Sequence, residues 1–371
     1  MPQEPVDTRD APFIPGLELA RLFYLEAARP LLDEAYPGLA HSAARIGTGS
    51  EVLGFDTPRS ADHEWGPRFQ LFLPAGDAER LAPEIRALLS HRLPKTFRGY
   101  PTHFASTGEP GIGTMWPTEG PVLHRIDVGT PAELFGTVLG FSPFDGVLLT
   151  DWLATPAQRL AEATAGAVFH DGLGVLEPAR AELAWYPPDV WLYVLACQWK
   201  RLSQEEAFVG RCGEVGDELG SAVVASRLVR DLMRLVLLME RRYPPYSKWL
   251  GSAFARTRDA EVLVPLLGAV LAATGWKERE AHLARAYETI AARHNALGLT
   301  EPVDPGTRPY HARPFLVLHA ERFADALTAR IADPALRRLP PIGATDQHAD
   351  STDLLGRTEL TRATIRAALA G

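Results

Sequence analysis

Apolar residues recur at helical spacing through "GLELARLFYLEAARPLLDEAYPGLA" and stop at Pro37-Gly38, a pattern that predicts an opening helix. "HSAARIG" then reads as a short strand entering a turn. "HEWGPRFQLFLP" reads as a second strand, with Gly66-Pro67 marking a bulge or irregular edge. "AERLAPEIRALLSHRL" has the helical period again. The Pro- and Gly-rich stretch from Lys95 to Gly120 shows neither period and reads as a long loop or insertion. "PVLHRIDVGTP" predicts a third strand, and "GAVFHDGLGVL" a further strand with a turn at Asp171-Gly172.

From about Glu182 the period changes. "PPDVWLYVLACQWKRLSQEEAFVGR", "DELGSAVVASRLVRDLMRLVLLMERR", "DAEVLVPLLGAVLAAT" and "KEREAHLARAYETIAARHNALG" all read as helices. The expected architecture is an α/β (α+β) domain with a short mixed sheet over residues 1–182. An all-α bundle over residues 183–371 follows it. The tail "IGATDQHADSTDLL" is polar and turn-rich, either an ordered strap or a mobile end. No internal repeat interrupts this division.

Composition narrows the class. A chain of 371 residues, 46% hydrophobic and 23% charged, can build proper cores. Its net charge of −8 argues against a general nucleic-acid binder. Cys197 and Cys212 are too few for a disulfide framework, and no Cys/His cluster has zinc spacing. "MPQEPVDTRD" has neither a basic nor an apolar region of a signal peptide. Val262 to Trp276, the longest uncharged run, is shorter than the roughly 20 residues a spanning helix needs, and it contains Pro265. A cytoplasmic protein without membrane segments is expected.

The candidate chemistry lies in "IGTGSEVLGFDTPRSADHEWGPR", residues 46 to 68. Gly49 and Ser50 make a turn expected to open a helix, where exposed backbone N–H groups suit a terminal phosphate. Asp62 and Glu64 stand at strand spacing, so on a strand they share a face. Asp127, between Ile126 and Val128, reads as an inward-facing acid on a neighbouring strand. Three convergent carboxylates can hold one or two hard divalent cations through oxygen. Together with a phosphate-cradling turn they form a site for metal-assisted nucleotidyl transfer. The bland alternative for an acid-x-acid pair is a solvated strand or a turn cap.

"GTGSEVLGFDTPRSADHEW" resembles the glycine-serine, acid-x-acid signature of the polymerase-β-like nucleotidyltransferase superfamily, and Asp127 falls where that superfamily carries its third carboxylate. "GSEVLGFD", "DHEWGPR", "GDELGS" and "PPYSKWLG" resemble a bacterial domain-of-unknown-function branch of it, over nearly the whole chain. The two-domain layout is similar to that of the aminoglycoside nucleotidyltransferases. Glu64 stands where aspartate is commoner.

The resemblance implies Mg²⁺ or Mn²⁺ on Asp62, Glu64 and Asp127. It also implies an NTP, with ATP foremost, held by Gly49 and Ser50, and a triphosphate contact from Lys248. Tyr246 is a candidate to stack on base or ribose, and Arg211 a further nucleotide contact. In the helical half, Arg227, Arg230, Asp231 and Arg234 follow one another at i, i+3, i+4 and i+7. That stripe is either a substrate-facing row or a solvated face with internal ion pairs. Asp217 and Glu218 cap the same helix or orient a polar acceptor. His294 reads as structural.

The expected function is transfer of an NMP to a hydroxyl of a small molecule, with release of pyrophosphate. The alternatives are a nucleotide-binding regulatory module without catalysis, or nucleotidylation of a protein. An RNA acceptor, and nucleic acid generally, is disfavoured by the acidic balance.

Overall fold

The computed structural model describes residues 12–106, 108 and 112–370. The N-terminal decapeptide read for a signal sequence lies outside the described residues. The chain divides into two compact units. One comprises residues 1–147 and 159–184; the other comprises residues 148–158 and 185–371. The first is a mixed α/β region with a small mixed sheet, and the second is helical.

Four strands make the sheet of the first unit: β1 (Ser42–Arg45), β2 (Arg68–Phe72), β3 (Arg125–Gly129) and β4 (Ala167–Asp171). Their order is β3-β2-β1-β4. β1 pairs antiparallel with β2 and with β4, while β2 and β3 run parallel, Arg68 opposite Arg125 and Gln70 opposite Asp127. Alternation along these strands sends Phe69, Leu71, Ile126 and Val128 into the core. Arg68, Gln70, Arg125 and Asp127 are therefore left on the opposite face. The opening helix covers the core face. It runs from Gly16 to Ala35 and widens to a π turn at Tyr24–Ala28, packing Phe23 and Tyr24 on Phe69.

A parallel β2–β3 pair needs a crossover, and the helix Ala75–Arg92 supplies it. The stretch expected as a loop from Lys95 to Gly120 contains two short hairpins, Thr96–Phe97 with Tyr100–Pro101 and His103–Ser106 with Gly113–Trp116. Their strands are too short for a period to show in sequence, yet Phe97, Tyr100, Phe104 and Met115 all join the core. The second expected strand is also corrected. It begins at Arg68, not at His63, because Pro58–Asp62 is a turn of 3₁₀ helix and Glu64 has a left-handed backbone, φ 46°.

The helical unit is built on Pro188–Glu205, Glu218–Met239 and Trp276–Ala296. Asp217 caps the second of these, its Oδ1 accepting from the Gly220 amide at 2.7 Å. Trp199 stacks on Phe323 and donates to Nδ1 of the fully buried His294, whose pKa burial pushes down to about 4. The tail is ordered against Pro188–Glu205: Tyr193 donates to the Pro340 carbonyl, and Gln347 to the Val194 carbonyl and to Gln198. The apolar run near Pro265 is the helix Ala260–Ala272. Among the described residues no helix is long and apolar enough to cross a membrane.

A second internal clamp gives this unit a pH dependence. Buried Glu206 accepts from the Leu318 and Ala320 amides at 2.7 and 3.0 Å, fastening that loop to the end of Pro188–Glu205. Desolvation outweighs these contacts and raises the Glu206 carboxyl to about 7; burial does the same at Glu280. A carboxyl that binds its proton more tightly when folded contributes stability below its unfolded pKa, and loses it as pH rises towards the folded value. Between about pH 4.5 and 7 Glu206 should therefore remove on the order of 3 kcal/mol of stability, while His294, with its lowered pKa, acts in the opposite direction over much of the same range. Thermal unfolding of the wild type and of Glu206→Gln isolates the first contribution: the wild type should lose stability relative to the variant as pH rises, and a pH-independent difference between the two would exclude Glu206.

Candidate functional site

The site grows from the end of β1. Arg45 is buried, and its guanidinium donates to the Ile46 carbonyl at 2.8 Å and to the Thr48 carbonyl. It thereby props the glycine turn from beneath. Glu51 is also buried; its Oε1 accepts from Arg45 Nε at 2.8 Å and from Arg68 Nη2 at 2.7 Å. Burial alone would raise the Glu51 carboxyl, but the charges of Arg45 and Arg68 prevail and hold it below the ordinary carboxylate range. Gly49 has φ 150°, and a Cβ there would stand 2.5 Å from Arg45 Nη2 and 2.6 Å from Glu51 Oε2. Only glycine lets the turn close over this ion pair. The chain continues in hydrogen-bonded turns through Gly54, not in the helix expected after Ser50.

Arg68 carries the network onward. Its Nη1 lies 3.5 Å from Glu64 Oε2, and Glu64 Oε1 accepts from Arg125 Nη2 at 2.6 Å and from the Gly113 amide at 2.5 Å. An unbroken series of charges thus runs Arg45, Glu51, Arg68, Glu64, Arg125. Asp127 shares its face of β3 with Arg125 and is open to solvent on one side. Crowding on the other side raises its carboxyl above the ordinary value, against the pull of Arg45, Arg125, Arg68 and His124.

The pairing expected of Asp62 and Glu64 is not a shared strand face. Asp62 ends the 3₁₀ turn, lies 62% exposed, and is engaged by the amide and ring of its own neighbour His63. Glu64, two residues on, turns inward to the arginines. The physical reason is Asp56: it accepts from the Gly16 amide and from Trp65 Nε1, folding residues 56–65 back against the opening helix before β2 begins. Among the described residues, no three His, Cys, Asp or Glu side chains are grouped to hold a metal ion. As arranged, the acids do not form a ready cation cage.

Residues 152–250 match a domain of unknown function, DUF4037. The match takes in "GDELGS" and all of "PPYSKWLG" but its final glycine, and it does not reach the glycine turn or Asp62, Glu64 and Asp127. No curated protein and no solved structure matches the chain.

In the helical unit, Lys248 lies in the first turn of Ser247–Phe254, exposed, with its ammonium 5.4 Å over the Trp249 ring. Tyr246 is exposed and edge-on to the same ring. Arg211 stacks over Phe208 and lines a shallow hollow of about 380 Å³ with Cys212, Val215, Asp217 and Val224. The polar stripe is engaged within the unit: Arg227 with Glu205 at 2.7 Å, Arg230 with Asp350 at 3.2 Å, Asp231 with Arg201 at 3.2 Å, and Arg234 with Asp346 at 2.6 Å. Glu218 pairs with buried Arg279 at 3.2 Å. Asp231 is buried, so this row is partly internal structure and not simply a solvated face.

Sequence reasoning passed over Arg45, Glu51, Arg68 and Arg125. The signal for Glu51 was a charged residue directly after a glycine-serine turn that leads to an apolar stretch. Glu51→Ala should destabilise the first unit by about 3–5 kcal/mol, because it leaves two guanidinium groups without their shared counter-charge. Urea unfolding measures this. A cost below about 1 kcal/mol would place Glu51 among ordinary surface ion pairs.

Proposed function

We propose that the first unit binds a nucleoside triphosphate, ATP foremost, and transfers its NMP to a hydroxyl of a small molecule. One observation carries this reading. The network from Arg45 to Arg125 gathers into one place a glycine turn, Glu64 and Asp127, which are far apart in sequence. The Gly49–Ser50 turn and nearby guanidinium groups suit phosphate oxygens. Asp127, open on one side and with a raised proton affinity, suits the task of general base.

In the proposed reaction the acceptor oxygen bonds to the α-phosphorus, and the bond from that phosphorus to the bridging oxygen breaks. Pyrophosphate leaves with those electrons, and the hydroxyl proton passes to Asp127. Because the acids form no ready cage, Mg²⁺ or Mn²⁺ would enter with the triphosphate and supply charge neutralisation there. The DUF4037 match over residues 152–250 is compatible with the resemblance drawn from "GDELGS" and "PPYSKWLG".

A regulatory nucleotide-binding module is the second reading. It is favoured by the pairing of Glu64 with both Arg68 and Arg125, which already neutralises a carboxylate wanted for a cation. The two readings separate in one experiment. With ATP, Mg²⁺ and a pool of hydroxylated metabolites, pyrophosphate release should fall by at least about 100-fold in Asp127→Asn and in Glu64→Gln. ATP affinity by calorimetry should drop when EDTA is added. Cation-independent ATP binding with no pyrophosphate released would transfer the assignment to the regulatory module. Wild-type turnover in both variants would sink the catalytic assignment of these acids.

A further inference from the structure

The helical unit carries a local field opposite to that of the whole chain. Between Glu240 and Asp259 stand five cations, Arg241, Arg242, Lys248, Arg256 and Arg258, against those two acids alone. Both acids are engaged from within. Glu240, with its side chain only 7% exposed, accepts from the Arg258 amide at 2.7 Å, and Asp259 pairs with Arg293 at 3.2 Å. Four of the cations are nonetheless at the surface: Arg241, Lys248, Arg256 and Arg258 are exposed, while Arg242, partly exposed, sits 4.0 Å from Glu240. They are also drawn together. Arg242 Nη1 donates to the Arg256 carbonyl at 2.7 Å, and the Arg258–Glu240 bond ties the far end of Ser247–Phe254 back to the Arg241–Arg242 corner. Glu261, exposed on the next helix, bounds the stripe.

Aromatic rings are interleaved with these charges. Tyr246 is 40% exposed beside Lys248 and Trp249, and Arg241 lies 4.4 Å over the Trp191 ring, which fixes that guanidinium at the surface. Cations that track a backbone, set beside an exposed ring on which a base can stack, are the recognition chemistry of single-stranded nucleic acid. An acidic peptide would match the charge and leave the Tyr246 ring without a role.

We propose that the Arg241–Arg258 surface binds single-stranded nucleic acid. A net charge of −8 sets the average field, and this stripe is shielded from it beyond about 8–10 Å at physiological salt.

Fluorescence anisotropy with a labelled oligouridylate and a matching oligothymidylate tests the proposal, with an oligoglutamate peptide as the third probe. Binding of either strand should weaken with salt, log K against log [salt] having a slope of about −3 for four phosphate contacts. The triple variant Arg241→Gln, Arg256→Gln, Arg258→Gln should flatten that slope by about 2. Tyr246→Ala should lower affinity roughly tenfold at fixed salt through lost stacking. Removing the same charge elsewhere, at exposed Arg80, Arg92 and Arg98 of the first unit, should leave the slope unchanged. The proposal is overturned by absence of salt-sensitive binding in the wild type, by an unchanged slope in the stripe variant with an intact melting curve, or by equal affinity for oligoglutamate. These measurements need no nucleotide transfer, so they are independent of the proposed reaction.

Discussion

A carboxylate with almost no access to water holds the first unit's polar face in order. Taking Glu51 out of solvent is costly, and the cost is offset only because Arg45 and Arg68 meet the same oxygen. Each arginine then does a second task. Arg45 fixes the carbonyls of the glycine turn, and Arg68 reaches Glu64. The turn, the end of β1 and the start of β2 are therefore a single electrostatic object, and a change at any one of them is felt at the others.

The same arrangement explains why charge and architecture separate so cleanly across the sheet. Phe69, Leu71, Ile126 and Val128 leave no polar atom on the core side, so every charged residue of β2 and β3 must gather opposite. Parallel pairing of those strands sets Arg68 beside Arg125 and Gln70 beside Asp127. Gln70 satisfies the Ile46 backbone in both directions, which closes the floor of the site without adding a charge.

Much of this could be read from residue order, and the limits are physical. Helix periods located the long helices, whose apolar face recurs over many turns, and β1, β3 and β4 were located as short apolar segments ending at glycine turns. The same evidence could not show that Asp62 and Glu64 part company. That depends on Asp56 bonding Gly16 and Trp65, a contact between distant segments that leaves no periodic trace. Short hairpins after Lys95 were invisible for a different reason, since their strands of two to four residues lie within a stretch so rich in Pro and Gly that no apolar segment stands out. The arginines were missed because a buried ion pair looks, in sequence, like any surface charge. The row from Arg227 to Arg234 was legible as a row, but its partners Asp346 and Asp350 lie over a hundred residues away.

The path of the chain between the two units bears on how the protein can be divided. The backbone passes from one unit to the other after Val147, returns after Gln158, and leaves again after Ala184. The DUF4037 segment, 152–250, starts inside the first excursion and includes β4. Cutting the gene at those limits would strip β4 from β1 and bare a row of backbone hydrogen-bonding groups at the sheet edge, a template for aggregation. It would also separate Trp199 from Phe323 and His294. A boundary drawn by similarity is here not a boundary along which the polypeptide can be excised.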